Sequence, residues 1–251
     1  MIGVQSILMN FSRPDNEKLT CAAAIRERLQ TAKSLRQQVS GVPSDARKRL
    51  LLREWQAARL ARSYADLLEN DRFGRAARFF LTDLYGPKDF IRRDDEIERI
   101  LPLLISLLPL SALQTIALAL EVDALTELLD AAMVDALERN STIYCIDDDA
   151  YAVAYRSVGR QEDRERQIFL IRATGMALQD LSRKPFLTTL LRLMRGPAHL
   201  AGLDDLQQLL ENGFDAFRYM GDAKEFLDCI ENRERKLFSS MFCGAAQPFA
   251  L

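Results

Sequence analysis

Histidine is almost missing from this chain of 251 residues, which contains His199 alone. Ser-His-Asp hydrolases, His-Glu-x-x-His zinc sites and di-iron sites with paired Glu-x-x-His sequences all need histidine in a defined pattern. The chain has no Gly-x-Ser-x-Gly or His-Glu-x-x-His sequence, and no glutamate lies three residues before His199. It also has no Gly-x-Gly or Walker sequence for a bound nucleotide. We therefore expect no catalytic residue of a familiar type, no metal site and no cofactor.

Glycine, proline and cysteine are also sparse, with 11, 8 and 4 residues respectively. Few turn-forming residues beside abundant Leu, Ala, Arg and Glu favour helices. The four cysteines lie far apart and form no Cys-x-x-Cys pair, which is typical of reduced thiols in the cytosol. The N-terminus lacks the basic segment and the cleavage site of a signal peptide. We therefore expect a soluble, cytoplasmic protein.

Charged residues are missing from residues 100–120, and about 20 apolar residues suffice for a membrane-spanning helix. Pro102 and Pro109 interrupt this run, and serine, glutamine and threonine dilute it. The sequence contains no second run of this kind to pair with it. We therefore expect two buried helices, the second beginning near Pro109, and no association with a membrane.

Apolar residues repeat every three or four positions along much of the chain, which is the pattern of amphipathic α-helices. The first such helix covers residues 16–39, and its apolar seam is interrupted only by Arg36. After a stop at residues 40–43, a second helix reaches about residue 70 and completes an antiparallel hairpin. Breaks at glycine and proline delimit further predicted helices over residues 75–85, 148–158, 161–181, 184–195, 203–219 and 221–241.

The sequence thus predicts an all-α fold, a bundle of roughly ten helices. No internal repeat and no low-complexity linker divides the chain, so we expect one domain over residues 16–251 after a flexible lead-in over residues 1–15. Within this domain, a long N-terminal helical hairpin over residues 16–70 precedes a helical core over residues 71–251.

Charge is unevenly distributed, although the net charge is only −2. Residues 26–62 contain ten Lys or Arg against three acids, and residues 121–151 contain nine acids against one base. A basic segment can mark a nucleic-acid surface. Here the basic residues lie all around the helix, so nucleic-acid binding is the less favoured alternative. We prefer a hairpin that faces the acidic segment, either in its own chain or in a second subunit.

Residues 79–94 join two predicted helices and combine aromatic, acidic and basic side chains with a Gly-Pro break. Because an arginine can hold a nearby carboxylate ionised and a tyrosine hydroxyl can polarise a ligand, these side chains could line a small-molecule pocket. The candidate ligand-binding residues are Asp83, Tyr85, Asp89, Arg93, Asp94 and His199. The preferred interpretation is a structural corner, in which Asp89 or Asp94 pairs with an arginine and His199 merely starts a helix. His199 as an axial haem ligand or a general base is the alternative.

Three segments resemble a family of uncharacterised proteobacterial proteins. Residues 79–94 read FFLxxLYGPxDFxxRD, residues 195–203 read RGPAHLAGL, and residues 213–221 read GFxAFRxMG. The resemblance extends from about residue 55 to residue 235. It implies an all-helical fold and a bacterial, cytosolic origin, and it supplies no catalytic residue, cofactor or partner.

These observations favour a non-catalytic binding or interaction protein of unknown process that associates with itself as a homodimer or binds another protein. Two alternatives remain open. One is a small-molecule-binding protein or an enzyme that uses the polar side chains of residues 83–94, and the other is nucleic-acid binding through the basic hairpin.

Overall fold

The computed structural model describes residues 13–84 and 91–250, and every regular element among them is helical, as the sequence predicts. The described α-helices are α1 (Arg13–Ser40), α2 (Pro43–Ser63), α3 (Ala65–Glu69), α4 (Gly74–Phe79), α5 (Ile91–Leu107), α6 (Leu110–Arg139), α7 (Asp148–Val158), α8 (Gln161–Ser182), α9 (Pro185–Leu200), α10 (Asp204–Met220) and α11 (Lys224–Phe242). A π-helical segment over Phe80–Leu84 follows α4 directly.

The predicted hairpin forms α1 and α2, but its second helix ends at Ser63 and not near residue 70, and α3 follows as a separate short helix. Both α1 and α2 pack against α6. A short turn at Gly41 and Val42 joins α1 to α2, and α1 makes its most extensive contact with α6. Arg28 contacts Glu121 and Arg36 contacts Glu127, so α1 and α6 run in the same direction. Helix α6 packs most extensively against α1, α2, α7 and α8.

The uncharged run over residues 100–120 forms the end of α5 and the beginning of α6, with Pro109 capping the second helix as expected. Leu101 and Leu113 from this run are buried in one apolar cluster with Ile25 of α1. Within the described residues, no helix is long and apolar enough to cross a membrane. The run forms two helices as predicted, but it is only partly buried, because Leu103 and Leu107 are exposed.

Two predicted helix breaks are wrong. Helix α5 continues through Pro102, and α9 continues through Gly196-Pro197 as far as Leu200. A proline inside a helix removes one backbone donor, and its ring crowds the carbonyl four residues earlier. Packing on its flanks can offset this cost. The neighbouring residues Leu101 and Ala198 are both buried and supply this packing.

Other glycines end helices as the sequence predicts. Gly159 follows α7 with a φ of +66°, and Gly221 follows α10 with a φ of +77°. A left-handed backbone conformation of this kind costs glycine little, because glycine has no Cβ. Two further glycines allow close contact between helices instead. A Cβ on Gly175 of α8 would lie 2.5 Å from a Leu227 methyl carbon, and one on Gly213 would lie 2.8 Å from the Phe79 ring.

Candidate functional site

A buried charge network lies where α1, α5 and α6 meet. The Arg36 guanidinium on α1 contacts Asp94 on α5, and on α6 it donates to Asp123 at 2.6 Å and to Glu127 at 3.1 Å. Arg36 is 5% exposed, and Asp94 is completely buried. A charged side chain survives such burial only when hydrogen-bonded partners of opposite charge surround it. Arg36 therefore ties three helices together.

Further arginines extend this network along α6. Arg93 lies 3.1 Å from Asp123 and 3.3 Å from Asp94, and Arg53 of α2 contacts Glu127. The members of the charge network are Arg36, Arg49, Arg53, Arg93, Asp94, Asp123, Glu127 and Asp130. Four arginines thus face four carboxylates. The basic segment contacts the acidic segment of its own chain, which is one of the two arrangements that the sequence left open.

The two carboxylates nearest Arg36 respond differently to their surroundings. Burial acts to raise the pKa of Asp123, but the charges of Arg93 and Arg36 outweigh it and lower that pKa below its ordinary value. Burial raises the pKa of Asp94 despite the opposing charges of Arg36 and Arg93. The two arginines therefore oppose the effect of burial on the pKa of Asp94 without outweighing it.

The structure brings together only part of the predicted site. Arg93 and Asp94 share the charge network, while Asp83 accepts a hydrogen bond from Asn212 of α10 at 3.3 Å. Tyr85 and Asp89 lie outside the described residues.

His199 belongs to a different part of the surface. It lies in the last turn of α9, not at a helix start, because that helix continues through Gly196-Pro197. Its side chain is 77% exposed, and its Nδ1 lies 3.0 Å from Asp204. Among the residues that the structure describes, no group of three or more His, Cys, Asp or Glu side chains could hold a metal ion.

Beside the charge network lies an apolar cavity of about 330 Å³, lined mainly by α5, α6, α8, α9 and α10. Its lining includes Ile97, Leu104, Ile116, Leu178, Leu190 and Phe214. Small-molecule sites commonly have volumes of about 300–1,000 Å³ and mostly apolar walls with a few polar groups. The volume and lining of this cavity match that description.

Polar residues also line the apolar cavity, and five of them belong to the charge network, namely Arg53, Arg93, Asp123, Glu127 and Asp130. Arg93 and Asp123 of the charge network form part of one wall, and Thr174 of α8 lies in another. Thr174 is 8% exposed, and its hydroxyl has no hydrogen-bond partner among the described residues. A buried hydroxyl without a hydrogen-bond partner destabilises the folded protein. A ligand atom that hydrogen-bonds the Thr174 hydroxyl would therefore be stabilising.

Phe79 and Phe80 close the cavity where α4 passes into the π-helical segment. The sequence predicts a regular helix over residues 75–85, but the π-helical geometry begins at Phe80. Short π-helical segments are rare and often occur at functional sites. The Phe79 ring also packs against Gly213, another residue of the cavity wall.

A second cavity of about 130 Å³ adjoins the apolar one, between α2, α7, α8 and α11. We term it the polar cavity for the charged and tyrosine side chains that lie among its mostly apolar lining residues. Its lining includes Arg59, Tyr64, Tyr151, Tyr155, Arg164 and Glu234. The two cavities share the wall residues Gln56, Phe80, Thr126, Asp130 and Ile171. The two cavities therefore lie side by side within one bundle.

Sequence reasoning missed both cavities. Their linings come from helices far apart in the chain, and each apolar residue matches the ordinary pattern of a helix core. Two signals for the charge network were nevertheless present. Arg36 interrupts the apolar seam of α1, and the opposed charges of residues 26–62 and 121–151 identify its two sides.

No curated protein and no solved structure matches the chain. A family model described as Domain of unknown function (DUF8198) matches residues 35–248. This match agrees with the resemblance to an uncharacterised family, and the family description carries no activity, cofactor or partner. Since the model spans most of its length, the chain belongs to the family described as Domain of unknown function (DUF8198).

Proposed function

We propose that this protein binds an apolar small molecule in the cavity between α5, α6, α8, α9 and α10. The observation that carries the proposal is the cavity itself, about 330 Å³ in volume and lined mainly by leucine, isoleucine and phenylalanine. The few polar groups in its walls would orient the ligand, as in other small-molecule sites. Thr174 supplies a buried hydroxyl for this purpose.

The size of the cavity sets an approximate affinity. Filling apolar space is worth roughly 24 cal/mol per Å³, so a ligand that occupied all 330 Å³ would gain on the order of 8 kcal/mol. Such a gain corresponds to a dissociation constant of about 1 µM. Loss of translational and rotational freedom opposes binding, so a neutral aliphatic ligand should bind in the micromolar range or more weakly.

The geometry supports binding more than catalysis. The charged side chains nearest the apolar cavity are engaged with one another, since Arg93 pairs with Asp94 and Asp123. A general acid or base needs a pKa suited to its task and access to the reacting group. Asp94, whose pKa burial raises, is completely enclosed and contacts Arg36 and Arg93.

The other two hypotheses receive less support. The opposed charges that motivated self-association meet within one chain, so they no longer argue for an interface. The arginines that motivated nucleic-acid binding include Arg36, Arg49 and Arg59, which are buried in ion pairs. Self-association stays a prediction, and native mass spectrometry would test it together with any ligand that co-purifies.

The test of ligand binding uses 1-decanol as a neutral probe, with isothermal titration and thermal unfolding as readouts. We expect one molecule to bind and to raise the unfolding temperature. Ala119→Phe should abolish both effects, because Ala119 lines the cavity and a phenyl ring would occupy part of it. Ala23→Phe, on an exposed position of α1, is the matched control and should bind normally. Equal binding by folded Ala119→Phe and native protein would refute the proposal.

A further inference from the structure

The polar cavity contains two buried arginines that are only partly satisfied. Arg59 is 8% exposed and Arg164 is 6% exposed. Nη1 of Arg59 donates to Glu234 at 2.9 Å, and the Tyr64 hydroxyl donates to the same carboxylate oxygen at 2.7 Å. Nε of Arg59 has no hydrogen-bond partner among the described residues. One carboxylate oxygen of Glu234 thus accepts hydrogen bonds from both Arg59 and Tyr64.

Arg164 is less well satisfied than Arg59. Both its Nε and its Nη2 are buried without a hydrogen-bond partner among the described residues. Its guanidinium lies over the Tyr155 ring, with 4.4 Å between Cζ and the ring centroid. Stacking on an aromatic ring leaves the N–H donors in the guanidinium plane unused, so they point to a missing acceptor.

The charges around the cavity favour an anion as that acceptor. Glu234 is engaged by Arg59, and Asp130 is engaged by Arg49 and Arg53 of the charge network. Arg164 therefore adds a positive charge that neither of these carboxylates neutralises. A guanidinium presents parallel N–H donors that match the oxygens of a carboxylate or a phosphate. Burial raises the pKa of Tyr155, so its hydroxyl keeps its proton and is available as a further donor.

We propose that the polar cavity binds an anionic group, a carboxylate or a phosphate, through Nε and Nη2 of Arg164. Its volume of about 130 Å³ equals that of roughly four water molecules, which suits a single small anionic group. The anion is either a free small anion or the head of an amphipathic ligand. The second source rests on the proposed function, because the tail of that ligand would occupy the adjoining apolar cavity.

Three probes distinguish the two sources, namely inorganic phosphate, decyl phosphate below its critical micelle concentration, and 1-decanol. Isothermal titration and thermal unfolding of the full chain provide the readouts. Stabilisation by inorganic phosphate alone identifies a site for a free anion. Tighter binding of decyl phosphate than of both other probes identifies the head of an amphipathic ligand. Failure of 1-decanol to bind counts against the apolar site, and it leaves the phosphate result intact as evidence on Arg164.

Arg164→Met is the decisive variant. It should weaken phosphate and decyl phosphate binding by on the order of tenfold or more, because charge-assisted hydrogen bonds are lost. It should leave 1-decanol binding unchanged and raise the unfolding temperature of the unliganded protein, because it removes an uncompensated buried charge. Arg166→Met, at an exposed position of the same helix, is the matched control and should bind all three probes normally.

Arg164→Lys keeps the charge and should retain part of the phosphate affinity, even if Arg164→Met folds poorly. Two results would overturn the proposal. One is that Arg164→Met or Arg164→Lys binds inorganic phosphate and decyl phosphate with the same affinity as the native protein. The other is a native protein that neither inorganic phosphate nor decyl phosphate stabilises beyond the effect of 1-decanol.

Discussion

Arg36 should contribute more to the stability of the fold than any single carboxylate that it contacts. Arg36→Met keeps an unbranched apolar side chain and removes the positive charge from beside Asp94, Asp123 and Glu127. Breaking a buried ion pair by removing one partner typically costs about 3–5 kcal/mol. Total stabilities are about 5–15 kcal/mol, so the variant should remain folded with little margin. We expect its unfolding temperature to fall by on the order of 10 °C.

Urea and thermal unfolding, followed by far-UV circular dichroism, would measure the loss. Arg26→Met, at an exposed position of the same helix, is the control and should change stability by no more than about 0.5 kcal/mol. Asp94→Asn should cost about 1.5–3 kcal/mol, because Arg36 keeps its other two carboxylates. If Arg36→Met were no more destabilising than Arg26→Met, the network would not hold the helices as we describe.

Three other outcomes test further parts of the structure. Asp123 has its pKa lowered in the folded state, so its contribution to stability is complete above about pH 4 and is lost as the pH falls through the folded value. Asp123→Asn should therefore weaken the acid dependence of urea unfolding, whereas Asp135→Asn, exposed on the same helix, should not. Gly175→Ala should lower the unfolding temperature because its Cβ would clash with Leu227, whereas Gly196→Ala meets no atom within 4 Å and should be neutral or stabilising. A labelled DNA duplex titrated at low salt should show no saturable change in fluorescence anisotropy, and strongly salt-dependent binding would restore the nucleic-acid hypothesis.

The helices could be predicted from the sequence because their signals are local. Periodic apolar residues and glycines such as Gly159 and Gly221 act over a few residues, and the structure follows them closely. The failures at Pro102 and Gly196-Pro197 have a non-local cause. Buried neighbours hold α5 and α9 together there, and burial depends on helices that come from elsewhere in the chain.

The candidate site could be predicted only in part, for the same reason. The sequence identified Arg93 and Asp94 as polar residues with a structural role, and it identified the two segments whose charges meet. It gave no sign that Arg36 would contact Asp94, since 58 positions separate them. It also gave no sign of the cavities, because a void depends on how five helices fail to fill the space between them.

The charge network and the cavities make separable contributions, although they share part of a wall. Arg36 lies at the centre of the network and is absent from the lining of both cavities, whereas Arg93 belongs to the network and to the apolar cavity. A bound ligand adds stability according to its concentration and its affinity, whatever the baseline stability of the folded protein. Arg36→Met should therefore lower the unfolding temperature and leave the affinity for 1-decanol unchanged. Ala119→Phe should abolish 1-decanol binding while the protein keeps its fold. The two variants therefore assign stability and binding to different residues of the same helical bundle.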